Sequence, residues 1–153
     1  MISIEQIRRF PLFGGLEYHA LKAIAMAGQD LTVDADTWLF VEGEEADAFY
    51  LILNGTIDLK MSMNAKQIEQ ADLERLTEYE GFGWSALVNP YVYTFSAYVA
   101  ADTRLLVINA EKLRSLMDQH IDVGYTLMTR MAEIIRERLT NMHTRFVSLI
   151  PVA

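Results

Sequence analysis

The sequence contains no cysteine. That excludes disulfides, thiolate metal sites and a thiol nucleophile, and it fits a reducing compartment. Positive charge is scarce: 13 Lys and Arg stand against 21 Asp and Glu, for a formal net charge of −8. Such a chain has no field to gather nucleic acid by its phosphates, so no nucleic-acid partner is expected. No uncharged apolar run reaches the roughly 18 residues that would suggest a membrane span. The opening residues, Met1 to Arg9, lack the apolar core of a signal peptide. The expectation is a cytoplasmic protein that does not enter membranes. Its three histidines, His19, His120 and His143, lie far apart on different expected elements, so no metal site is expected. Glu42, Glu44, Glu45 and Asp47 share one loop but lack the EF-hand register, and read as a solvated turn. There is no Ser/His/Asp nucleophile motif and no phosphate-loop lysine, so neither an enzyme nor a cofactor is expected.

What remains is an ordinary globular composition, 52% hydrophobic and 22% charged over 153 residues. This suffices for one domain with a real core, and is short for two. Ile4, Ile7, Phe10 and Phe13 recur at helical intervals until Pro11 and Gly14-Gly15 break the pattern. A second helix is expected over Glu17–Ala27, with Leu21, Ile24 and Ala25 on one face and Gly28 closing it. Then the period changes. Gln29–Val33, Thr37–Val41, Phe49–Leu53 and Thr56–Met61 are short β-branched and aromatic runs. Asn54-Gly55 between the last two signals a type I′ hairpin. Ser62–Gln70 reads as a polar loop. Leu73, Leu76 and Tyr79 suit either another strand or a helix. Further strands are expected at Ser96–Ala100 and Arg104–Ile108. Asn109 then caps a helix over Ala110–Gln119 with Leu113, Leu116 and Met117 inward. Strands at this spacing imply an α+β domain: an antiparallel jelly-roll-like β-barrel over about 29–109, with N-terminal helices and C-terminal helices over about 110–150.

Between the strands lies Gly81-Phe82-Gly83-Trp84-Ser85-Ala86-Leu87, a glycine turn into a helix-capable run. Such a turn aims backbone N–H groups at one point and suits an anion such as phosphate. Yet no Lys or Arg occurs between Arg75 and Arg104. The region is instead aromatic, with Phe82, Trp84, Tyr91, Tyr93, Phe95 and Tyr98. Two readings stand: these rings pack the barrel, or some of them line an aromatic ligand pocket. Trp84, Tyr93 and Ser96 would probe the second.

The order of helix, short strands, glycine turn and long terminal helix resembles the cyclic nucleotide-binding domain of catabolite-activator-type regulators, gated channels and kinase regulatory subunits. The carriers are Phe13 to Leu16, Leu39-Phe40-Val41-Glu42-Gly43-Glu44, Ala48 to Gly55, and the glycine turn. The resemblance covers roughly Phe10 to Phe146. It implies a ligand site at the turn, formed by Phe82, Gly83, Trp84, Ser85, Ala86, Tyr93, Thr94 and Ser96. It also marks two departures. The family's acidic residue after Phe-Gly, which holds the ribose hydroxyl, is replaced by Trp84. The arginine that pairs with the cyclic phosphate is replaced at Thr94, counting back along the strand that follows. Losing one charge-assisted hydrogen bond costs about 1.5–3 kcal/mol, or tenfold to a hundredfold in affinity. Cyclic AMP and cyclic GMP are therefore not expected as effectors. The family includes sensors that use the same barrel for other ligands.

The last segment, Ile121–Ile150, is a long helix candidate ended by Pro151. Met128, Ala132, Ile135, Leu139, Met142, Phe146 and Leu149 form a heptad seam, flanked by a second stripe of Leu127, Met131 and Ile134. One stripe would cover the barrel and the other a partner, most simply a twin across a two-fold axis. A helix-turn-helix unit needs roughly 20 residues. Only Val147–Ala153 follow Phe146, so no DNA-binding domain is expected. Two functions remain open. The first is a non-enzymatic regulatory module with a non-standard small-molecule effector. The second is a ligand-free structural or protein-interaction domain acting through its helix dimer.

Overall fold

The computed structural model describes residues 2–62 and 70–152. Helix α1 (Ile4–Arg8) is closed by a capping box, in which Ser3 and Gln6 each satisfy the other's backbone N–H. A short 3-10 turn at Pro11–Phe13 leads to α2 (Tyr18–Ala27). Eight strands follow: β1 (Gly28–Val33), β2 (Thr37–Phe40), β3 (Ala48–Asn54), β4 (Ile57–Ser62), β5 (Gln70–Leu76), β6 (Gly81–Phe82), β7 (Ser96–Val99) and β8 (Thr103–Asn109). They form two antiparallel four-stranded sheets, ordered β1-β8-β3-β6 and β2-β7-β4-β5. The fold is the expected α+β jelly roll, with the two sheets facing each other rather than joined in one continuous ladder. Helices α3 (Ala110–Gln119) and α4 (Ile121–Ser148) complete it. The side chain of Asn109 caps α3 by accepting the Lys112 N–H at 3.0 Å.

Strand β3 explains why there are two cores. Ala48 to Leu53 are all buried, as expected of a central strand covered on both faces. Alternation sends Phe49, Leu51 and Leu53 to the helices, where they meet Phe10, Leu21, Ile24, Leu127 and Met131. Tyr50 and Ile52 point the other way, into the space between the sheets, with Phe40, Ile57, Leu76, Phe82 and Val99. The glycine turn begins at the end of β6, which pairs with β3 at Tyr50 and Leu51.

Three expectations need correction. Asn54-Gly55 is not a hairpin turn, because β3 and β4 belong to different sheets. Gly55 (φ 120°) is the crossing point, and a Cβ there would lie 2.2 Å from Thr103 Oγ1. Thr56 falls outside β4, its N–H held by Thr103 Oγ1 at 3.1 Å. Ser62 and Gln70 are paired strand ends rather than loop, and the rest of that expected loop, 63–69, lies outside the described residues. The strand-or-helix question at Leu73 and Leu76 resolves as strand β5. Tyr79 lies beyond it and packs edge-on against Phe10 at 5.6 Å.

Candidate functional site

The turn after β6 is tighter than a helix. Gly83 adopts a left-handed conformation (φ 84°) and leads into a four-residue 3-10 segment, Trp84–Leu87. The Ala86 N–H is already used within it, donated to Gly83 O at 3.1 Å. So short a segment carries little macrodipole, and one of its donors is taken. The expected anion cradle is thus weak as built.

Beside the turn is a cavity of about 350 Å³ between the second sheet and α4. Phe40, Leu59, Phe82, Tyr93 and Phe95 wall it on the sheet side, and Ile135, Leu139 and Met142 on the helix side; Gly83, Trp84, Ser85 and Thr94 form the turn edge. Of the residues expected at the site, Phe82, Gly83, Trp84, Ser85, Tyr93 and Thr94 line it. Ala86 and Ser96 do not. Ala86 is fully buried beneath the turn, its carbonyl accepting from Arg114. Ser96 is buried too, its hydroxyl accepting the Glu42 N–H at 2.9 Å, which anchors the acidic loop. The aromatic cluster divides in the same way. Phe82, Trp84, Tyr93 and Phe95 face the cavity. Tyr98 instead stacks edge-on with Trp38 and donates to Asp36, and Tyr91 lies under Arg114.

The aromatic wall is rigid. Phe40 and Tyr93 stack in parallel with centroids 3.6 Å apart, and Tyr50 stacks on Phe82 at 5.1 Å. Tyr93 O–H donates to Ala48 O at 2.6 Å and its oxygen accepts the Ala48 N–H at 3.3 Å, pinning the wall to β3. Burial pushes the phenols of Tyr50 and Tyr93 above their ordinary range, so both stay neutral. Trp84 packs against Phe49 at 4.7 Å, and its indole Nε1 is buried without a hydrogen-bond partner among the described residues.

The cassette lacks a cation, but the cavity does not. Arg138 reaches it from α4 with its side chain only 13% exposed. Its Nη2–H donates to Gly81 O at 2.7 Å, its Nε lies 3.8 Å from Glu74 Oε1, and its guanidinium sits 5.8 Å from the Trp84 ring centre. Burial lowers its pKa from the usual arginine value. Burial also raises that of Glu74, against the opposing pull of Arg138. The sequence reading missed this pair because it searched only the cassette. The signal was in the helix: the barrel-facing stripe Leu127, Met131, Ile134 steps next to Arg138. The expected dimer seam is also divided. Ile135, Leu139 and Met142 line the cavity, whereas Met128, Ala132 and Phe146 lie outside it; Phe146 is 66% exposed. Among the described residues, no group of three or more His, Asp or Glu could hold a metal ion. Nor is any helix among them long and apolar enough to cross a membrane.

The family model for the cyclic nucleotide-binding domain matches residues 31–120, which span the second half of β1, strands β2 to β8 and α3. The chain belongs to the cyclic nucleotide-binding domain family. Among curated proteins it is similar to the CRP-like cAMP-activated global transcriptional regulator of Mycobacterium tuberculosis. That match is 23% identical over 96% of this chain and 65% of the relative. The chain thus spans just under two thirds of that regulator's length. Among solved structures, a candidate cyclic nucleotide-binding protein from Geobacter metallireducens GS-15 superposes with a TM-score of 0.80. It is 29% identical, over 91% of this chain and 99% of the other. A cyclic nucleotide-binding domain from Methylobacillus flagellatus KT gives 0.81 at 16% identity, over 98% and 83% of the two chains. At that identity the likeness is one of fold.

Proposed function

We propose that the chain is a non-enzymatic, cytoplasmic sensor domain whose effector is a small, largely apolar molecule rather than cyclic AMP or cyclic GMP. One observation supports this: residues that the resemblance puts at the ligand site border an open cavity of about 350 Å³, Trp84 and Thr94 stand where the resemblance expects the nucleotide-binding charges, and aromatic rings form its wall. A volume at the lower end of the ligand-pocket range, mostly apolar with a few polar groups, is what small-molecule sites need. The cavity touches both the glycine turn and α4. Differential binding could therefore bias the turn and the helix together.

Thermal-shift screening tests this with cyclic AMP, cyclic GMP, haem and a panel of small apolar and aromatic compounds. A ligand at a hundredfold its dissociation constant adds about 2.7 kcal/mol, about 5–10 °C for a domain of this size. A shift with a cyclic nucleotide alone would refute the non-standard effector. No shift with any compound would favour the second reading: a ligand-free interaction domain acting as a homodimer through α4. The line of exposed apolar residues on that helix, with Leu139 49% and Phe146 66% exposed, supports this dimer.

A further inference from the structure

Resting on the cavity as an effector site, we infer that the effector is an apolar monoanion, a carboxylate on an aromatic or aliphatic body, and that Arg138 binds its charged group. Among the described residues the cavity lining carries two charges, Glu74 and Arg138; its other described members are apolar, aromatic or neutral. A guanidinium offers five donors in a planar fork. Among the described residues Arg138 uses one of them, toward Gly81 O. The 3.8 Å separation from Glu74 is an ion pair beyond hydrogen-bond reach. A cation this buried and this sparsely bonded gains most from one further acceptor, since a low-dielectric setting strengthens charge-assisted bonds.

The charge balance limits the ligand to one negative charge. Glu74 already offsets part of the arginine, and its own carboxyl is pushed toward the neutral form by burial. A monocarboxylate could take the open edge of the fork bidentately. A dianion would leave one charge buried without a partner. The rest of the ligand meets Phe40, Phe82 and Tyr93 on one side and Leu139 and Met142 on the other. Arg138 sits on α4 and its carbonyl partner Gly81 opens the glycine turn. A carboxylate there would act on both elements.

Titration calorimetry with two matched pairs tests the inference: 2-naphthoate against 2-naphthamide, and decanoate against decanamide. In the wild-type chain at least one acid should bind about tenfold or more tighter than its amide. The pair that shows the gap identifies the body as aromatic or aliphatic. Arg138→Gln should close the gap by weakening the acid while leaving the amide unchanged. Glu74→Gln, which removes the competing carboxylate, should tighten the acid. If Arg138→Gln does not fold, Arg138→Lys keeps the charge without the fork and should narrow the gap with a near-native melting point. Equal affinity for acid and amide overturns the inference while the cavity stands as a site. So does a gap that persists in Arg138→Gln, or an acid that Glu74→Gln does not tighten. Binding of none of the four compounds overturns the inference and the effector site together.

Discussion

Tyr93→Phe isolates what holds the cavity wall in place. The change keeps the ring that stacks on Phe40 at 3.6 Å and removes only the hydroxyl. That hydroxyl donates to Ala48 O at 2.6 Å, accepts the Ala48 N–H at 3.3 Å and also interacts with the Tyr50 hydroxyl. The site is buried: Tyr93 is 3% exposed and Ala48 9%. Removing a partner from a buried polar group costs about 1–3 kcal/mol, so the melting point should fall by about 2–12 °C. The matched control is Tyr98→Phe, whose hydroxyl donates to Asp36 at a solvent-exposed position. Its loss should cost under about 0.5 kcal/mol, as surface changes do. Denaturant unfolding of both variants measures the difference. The reasoning fails if the two variants lose the same stability, because burial would then not be what makes the Ala48 contact matter. The ring's share is a separate quantity: Tyr93→Ala should cost about 3–5 kcal/mol, the usual range for a buried aromatic.

Three further outcomes follow from other parts of the molecule. Gly55→Ala should destabilise by more than about 2 kcal/mol in chemical denaturation, since its Cβ would meet Thr103 Oγ1 at 2.2 Å and Thr103 Cα at 2.7 Å, at a φ of 120°. Asp58 should contribute to acid sensitivity, because the hydrogen bonds from Arg75 hold its carboxyl below the usual 3.8. A depressed carboxyl stabilises the fold above its unfolded pKa and loses that contribution as pH falls through the folded one. Unfolding measured from pH 5 downward should therefore be less steep in Asp58→Asn. Phe146→Asp should convert the proposed dimer to a monomer in sedimentation without touching the cavity; an unchanged mass would remove the seam. Leu139 is a poorer choice, since it also lines the cavity and a change there would confound the two readings.

The fold was legible because its signals are local. The Phe49–Leu53 run is apolar at every position, as a strand covered on both faces must be, and Asn109 caps α3 through a bond to Lys112 three residues on. The Asn54-Gly55 reading failed for the complementary reason. The pair does mark a sharp change of direction, but whether the next strand pairs with the last is decided by contacts from Thr103, far along the chain. Ser96 illustrates the same limit within the site. Its place beside the turn suggested a ligand contact, yet its hydroxyl is committed to the Glu42 backbone. Nothing in the neighbouring residues announces that bond.

The absence of Lys and Arg from the cassette suggested a site without a cation, and the structure shows how that step overreached. A local motif can establish that its own segment lacks a charge, but a cavity is walled by several segments. Here the glycine turn meets α4, and α4 supplies Arg138 from a position 54 residues beyond Trp84 in the chain. Moving the charge from the cassette to the helix changes what it can do. A cation on the cassette would be fixed to the turn. Arg138 joins two elements, through a bond to Gly81 and an ion pair to Glu74. Whatever competes for that guanidinium also competes with the attachment of α4 to the turn, so ligand chemistry and helix position depend on the same few polar contacts. This also accounts for the division of the helix. Leu127, Met131 and Ile134 pack into the core beneath the N-terminal helices, Ile135, Arg138, Leu139 and Met142 close the cavity, and Phe146 and the residues beyond it stay exposed.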